Sequence, residues 1–112
     1  MPRHHYVILS QAEPGREAEF DQWYDTQHLS DVCKVDGVVS ARRFIIDVQK
    51  VTELDGAPRW TSLAIYEIES DDPTGVMNAI SEVAGSDAMP LSDALSQTGM
   101  IQLLAHQVAE AG

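Results

Sequence analysis

Residues 20 to 31 read Phe-Asp-Gln-Trp-Tyr-Asp-Thr-Gln-His-Leu-Ser-Asp and place one imidazole among three carboxylates and three aromatic rings. On a helix turning about 100° per residue, Tyr24, His28, Asp31 and Val35 fall on nearly one line, with Asp25 on its flank. A histidine between carboxylates has its tautomer fixed and its pKa raised toward neutrality. A phenol within reach can orient a substrate oxygen. This set suffices for general acid–base chemistry: protonating a leaving oxygen, or moving a proton beside a carbonyl. His28 is then the acid/base, Asp25 or Asp31 orients it, and Tyr24 holds the substrate. Trp23 and Phe20, on the adjacent apolar arc, would wall a pocket. The same residues have a plainer reading. His28 near a helix end interacts well with the helix dipole, the aspartates are solvated charges, and the aromatics are core.

Arg42 and Arg43 are consecutive on a strand and so point to opposite faces. One of them could hold a carboxylate or phenolate of a substrate, beside Phe44. The competing expectation is a structural ion pair, with Asp47 or Glu67 as partner. His4, His5 and His106 come together if the first and last strands pair. No carboxylate completes a ligand set at metal spacing, so no metal site is expected. Cys33 is the single cysteine and reads as a buried thiol rather than a nucleophile. No glycine-rich phosphate loop occurs.

These residues must be positioned by a chain of 112 residues, enough for one domain spanning 1–112. Eighteen Asp and Glu against seven Lys and Arg give a net charge of −11, which argues against nucleic acid and anionic membranes as partners. A lone cysteine fits a reducing cytosol, and the apolar run Tyr6 to Leu9 is too short for a leader or membrane span, so a cytoplasmic protein is expected.

Residues 4–11 form a strand signal closed by Glu13-Pro14-Gly15. A helix runs from Arg16 to about Val35 and ends at Asp36-Gly37. Strands follow at 38–51 and 59–69, joined by a loop over 53–58. Asp72-Pro73 opens a second helix, with Asp at the cap and Pro at the first turn. Residues 85–98 are irregular, with a short helical turn at 91–95, and 99–109 form the last strand. The order β-α-β-β-α-β is ferredoxin-like: a four-stranded antiparallel sheet with two helices on one face, in the α+β class. The strands are apolar on both parities. One carries Val39, Ala41, Leu63 and Ile65, and the other Val38, Phe44, Ala64 and Tyr66. Two helices cover only one face. A homodimer packed sheet face to sheet face is therefore expected.

The segments "HYVILSQAEPGREAEFDQWYDTQHLSDV", "DGVVSARRF" and "LAIYEIES" resemble EthD-like proteins of the dimeric α+β barrel superfamily. The resemblance implies a dimer whose subunits each hold a pocket between helices and sheet. The superfamily includes muconolactone isomerases, cofactor-independent quinone-forming monooxygenases, polyketide cyclases and haem-dependent peroxidases, so it names no single reaction. Its haem-binding members carry an axial histidine elsewhere, usually on a longer chain, which disfavours haem here. Three functions follow as expectations. The first is a small cofactor-independent isomerase, lyase or cyclase acting on an aromatic or lactone-like metabolite in a catabolic or biosynthetic pathway. The second is a cofactor-independent monooxygenase of phenols or quinols. The third is a non-catalytic dimeric ligand-binding protein.

Overall fold

The computed structural model describes residues 3–56 and 59–112. Strand β1 (Arg3–Ser10) leads into a helical run composed of α1 (Glu17–Trp23), a π-helical turn (Tyr24–His28) and α2 (Leu29–Cys33). Strands β2 (Val38–Ile45) and β3 (Ser62–Glu69), helix α3 (Pro73–Val83) and strand β4 (Ile101–Ala105) complete the chain. The sheet order is β2-β3-β1-β4, and every neighbouring pair is antiparallel. This is the ferredoxin-like arrangement expected from the element order.

Both helical units lie on one face of the sheet. Tyr6, Ile8, Ala64, Tyr66 and Ile68 of the strands share one core with Phe20, Tyr24 and Val32 of the first helical run and Val76 and Ile80 of α3. Strand β3 alternates strictly, with Ser62, Ala64, Tyr66 and Ile68 buried. Strand β2 does not alternate, because a bulge lies between Val38 and Ser40. The extra residue, Val39, flips the parity, so Val38 and Ala41 both face the helices, opposite Ile68 and Tyr66. The two apolar parities of this strand are thus partly a product of the bulge.

The outer face is divided. Val7, Leu9, Leu63, Ile65, Phe44 and Leu103 are neighbours in register at one end. At the other end Arg3 bonds Glu67 at 2.7 Å and also Glu69, and Arg42 lies 3.6 Å from Glu67.

Strands β2, β3 and β4 are shorter than the sequence suggests, β3 covering Ser62–Glu69 rather than 59–69. Strand β2 stops at Ile45; beyond it the Ile46 N–H bonds the Thr61 carbonyl at 2.9 Å, and the Gln49 side-chain amide bonds the Trp60 backbone. Strand β4 covers Ile101–Ala105 alone. The helical turn expected at 91–95 is a single turn closed by the Leu95 N–H on the Ser92 carbonyl. The last two residues of the expected 53–58 loop lie outside the described residues. Helix α3 starts as its sequence dictates: the Asp72 carboxylate accepts from the Gly75 N–H at 3.1 Å, and Pro73 follows the cap.

Gly37 joins the first helical run to β2 with φ +98, a conformation that disfavours a side chain. Its carbonyl accepts from the Glu69 N–H at 2.8 Å. A Cβ placed there would lie 2.7 Å from Val76 Cγ2 on α3. Gly37→Ala is therefore expected to destabilise the fold by roughly 1–3 kcal/mol, from backbone strain and overpacking together. A urea midpoint unchanged from wild type would contradict this close approach.

Candidate functional site

The histidine of the first helical run sits in the π turn. The Leu29 N–H bonds the Tyr24 carbonyl five residues back. The Thr26 hydroxyl donates to the Gln22 carbonyl at 2.6 Å, occupying an acceptor of the regular ladder. In a plain α-helix Trp23 and His28, five apart, would stand about 140° apart around the axis. The wider turn brings them together. Their rings stack with centroids 4.5 Å apart and planes at 26°. Tyr24 meets the same imidazole edge-on at 5.1 Å.

His28 is only 7% exposed and lines a cavity of about 220 Å³ between helices and sheet. Tyr6 and Ile8 supply the sheet wall, Ile80 comes from α3, and Met89 and Met100 come from the irregular segment before β4. The Tyr6 hydroxyl donates to Gln102 Oε1 at 2.6 Å. The irregular segment is fastened at two places by indoles. Trp23 Nε1 donates to the Pro90 carbonyl at 3.1 Å, and Trp60 Nε1 to the Gly99 carbonyl at 2.8 Å.

Burial lowers the His28 pKa to about 4, and the charge of Asp31 only partly opposes it. The sequence suggests the reverse, a histidine raised by flanking carboxylates. The correction has a geometric cause. His28 Nδ1 is buried without a hydrogen-bond partner, and so is one oxygen of Asp31. Asp31 sits at a separate recess with Lys34, Val35 and Ala79. Asp25 is turned to Arg43, whose Nε donates to it at 2.6 Å.

Arg43 is the hub of that second cluster. Its side chain is 5% exposed and pairs with Asp21 and Asp25, while Nη1 donates to the Ser62 hydroxyl at 3.0 Å. The guanidinium also lies over the rings of Phe20 and Tyr24, at 5.7 and 5.2 Å. Burial alone would lower its pKa, but Asp25 and Asp21 outweigh that and raise it. This arginine is paired, with different partners from the Asp47 or Glu67 expected. Beneath it, burial pushes the phenols of Tyr24 and Tyr66 up, so both stay protonated.

The remaining candidates scatter. Phe20 is in the core, and Trp23 backs the imidazole rather than lining the cavity. Arg42 and Phe44 lie exposed on the outer face, the arginine against Glu67. Sequence reasoning missed Tyr6, Met89, Met100 and Gln102. For Met89 and Met100 the signal was the irregular stretch itself, rich in Met and Leu, since long loops inside compact domains carry function or are disordered; Tyr6 and Gln102 lie on β1 and β4 and gave none. Among the described residues no group of three or more His, Cys, Asp or Glu could hold a metal ion, although the His4 and His106 rings do meet, at 5.3 Å.

Three solved structures share this architecture. An EthD (ethyl tert-butyl ether D) family protein of Bacillus halodurans superposes with a TM-score of 0.61, 15% identity and coverage of 94% of this chain and 99% of that one. The chain shares the fold of that protein. A Shewanella loihica protein provisionally assigned as a monooxygenase gives 0.61 at 8% identity, covering 97% of both chains. MhuD, as an arginine-to-serine variant with two manganese protoporphyrin IX molecules per active site, gives 0.56 at 16% identity, covering 97% of this chain and 98% of its own. No family profile and no curated protein sequence matches the chain. At these identities the likeness is one of fold.

The MhuD likeness removes chain length as a reason to disfavour haem, because 97% of this chain covers 98% of that porphyrin-binding one. The cavity itself fits the group poorly. At about 220 Å³ it is smaller than the ~300–1,000 Å³ usual for drug-sized ligands, and a tetrapyrrole needs more. Among the described residues no helix is long and apolar enough to cross a membrane.

Because the folded state resists protonating His28, the unfolded chain takes up that proton first as pH falls. Stability is then lost from pH 6.5, the ordinary histidine value, down through about 4. At pH 4.5 the loss attributable to this residue is about 2–3 kcal/mol relative to neutral pH. Denaturant titrations at pH 7 and 4.5 should show that excess for wild type over His28→Asn. An equal pH dependence of the two proteins would contradict a buried neutral imidazole.

Proposed function

We propose that the protein is a small cofactor-independent enzyme that moves a proton on an apolar, ring-containing metabolite. The supporting observation is a buried, uncharged imidazole on the wall of a ring-sized and largely apolar cavity. A neutral His28 can accept a proton at physiological pH, as a base weaker than a free imidazole because burial lowers its pKa to about 4. It takes the proton from a carbon beside a carbonyl or from a ring hydroxyl, and returns it at a second position. That sequence describes an isomerase, lyase or cyclase. Tyr24 and Trp23 hold the imidazole plane from its edge and its face, and are positioning residues. General acid–base groups contribute about 10²–10⁴-fold. His28→Ala should therefore lower turnover of a converted metabolite by at least about 100-fold while the far-UV spectrum and oligomeric size stay as in wild type. Turnover within a few-fold of wild type would sink the assignment.

A second reading shares the first step. Deprotonation of a phenol or quinol by the same base makes an electron-rich ring that reacts with oxygen, and one neighbour of this fold is provisionally assigned as a monooxygenase. Oxygen consumption during turnover separates the two readings. A non-catalytic binding protein would be stabilised by such rings without converting them.

We further infer that the chain is a homodimer through its outer sheet face. Phe44 and Leu103 are 45% and 42% exposed there, within the apolar end of a sheet that carries helices on its other side only. Light scattering should give twice the mass of one chain, and Leu103→Glu should halve it. A wild-type monomer at micromolar concentration would refute the interface.

A further inference from the structure

The composition of the cavity wall constrains the charge of what enters it. Among the described residues, no Asp, Glu, Lys or Arg lines the cavity. Its two ionisable groups, Tyr6 and His28, are both uncharged at neutral pH. Burial holds the Tyr6 phenol protonated, and the imidazole titrates far below neutrality. The mouth is also neutral, rimmed by the exposed side chains of Ser81, Gln97 and Gln102. Gln102 Oε1 already accepts the Tyr6 hydroxyl and Nε2 donates one N–H to Met100 Sδ at 3.6 Å, which leaves its second amide N–H as the donor for a ligand.

The arginines that could have met an anion are elsewhere. Arg43 is held by Asp21 and Asp25 under the first helical run, and Arg42 lies on the outer face. Burying a carboxylate against this wall would leave it unpaired, which costs several kcal/mol. A net charge of −11 adds repulsion at longer range. The volume limits size as well. An apolar cavity of ~150 Å³ accepts benzene, so about 220 Å³ holds one substituted ring.

We propose that this pocket selects uncharged, single-ring, oxygen-bearing compounds and excludes their carboxylated counterparts, with Gln102 as the specificity residue that donates to a substrate oxygen at the mouth. This deepens the proton-transfer reading of the same site and rests on the cavity assigned there. It also reverses the expectation that an arginine grips an anionic group of the substrate.

The test is binding, measured without turnover. Full-length protein at pH 7 is titrated with p-cresol, cyclohexanone and p-hydroxybenzoate, following the ring resonances of His28 by NMR. The uncharged probes should shift those resonances, and p-hydroxybenzoate should bind at least about 100-fold more weakly than p-cresol. Leu91→Arg, which puts a cation on the wall, should bring p-hydroxybenzoate to within tenfold of p-cresol. Gln102→Leu should weaken p-cresol by about five- to tenfold, the worth of one hydrogen bond. Wild-type affinity for p-hydroxybenzoate within threefold of that for p-cresol overturns the proposal, as does failure of every uncharged probe to bind at millimolar concentration. Normal binding preferences with unchanged turnover in His28→Ala would instead remove the catalytic role of the histidine and leave this inference standing.

Discussion

One guanidinium holds the helical run to the sheet. Arg43 rises from β2, takes two aspartates from successive turns above it, and covers the rings of Phe20 and Tyr24. A partly desolvated cation has a large penalty when left unpaired, so the helix is constrained to keep Asp21 and Asp25 facing it. That fixes Tyr24, and Tyr24 with Trp23 fixes the plane of His28. The carboxylate that the sequence places beside the histidine is thus committed to a structural role. The imidazole, left buried with an unpartnered nitrogen, is neutral as a consequence.

The buried histidine carries a stability cost that is conditional on pH. Small domains are stable by about 5–15 kcal/mol in all, so the loss of a few kcal/mol in mild acid is a sizeable share. Aromatic and aliphatic burial in the shared core offsets it, at roughly 1.5–3 kcal/mol for each large side chain. Other buried polar atoms also lack a partner, on His4, Ser10, Asp31 and Tyr66. Polar groups left in this state are concentrated where a structure serves a purpose other than its own stability.

The fold was legible because its signals are local. Asp72-Pro73 opens α3, Gly37 closes the first helical run, and the period of β3 separates its two faces. The position of His28 on a helix was legible too. Its charge state was not, because desolvation depends on residues such as Met89 and Met100, more than sixty positions away in the chain. The π turn was also hidden. A regular 100° spacing lines up Tyr24, His28 and Asp31, whereas the observed turn pairs the imidazole with Trp23 instead. Likewise the bulge at Val39 defeated any simple reading of alternation along β2. Arg42 and Arg43 were correctly split between faces, and Glu67 was among the partners expected for one of them, as Arg42 bears out; the Asp21 and Asp25 partners of Arg43 follow from three-dimensional placement alone.

The two indole anchors of the irregular segment have an optical consequence. The chain contains two tryptophans, and each donates its ring N–H to a carbonyl of the stretch that closes the cavity, one at Pro90 and one at Gly99. One of the two is also in van der Waals contact with the imidazole through its stack. Indole emission depends on the hydrogen bonding and polarity around the ring. All of the intrinsic tryptophan fluorescence of this protein therefore originates at the two fastenings of the segment that lines the cavity, and reports on the hydrogen bonding there.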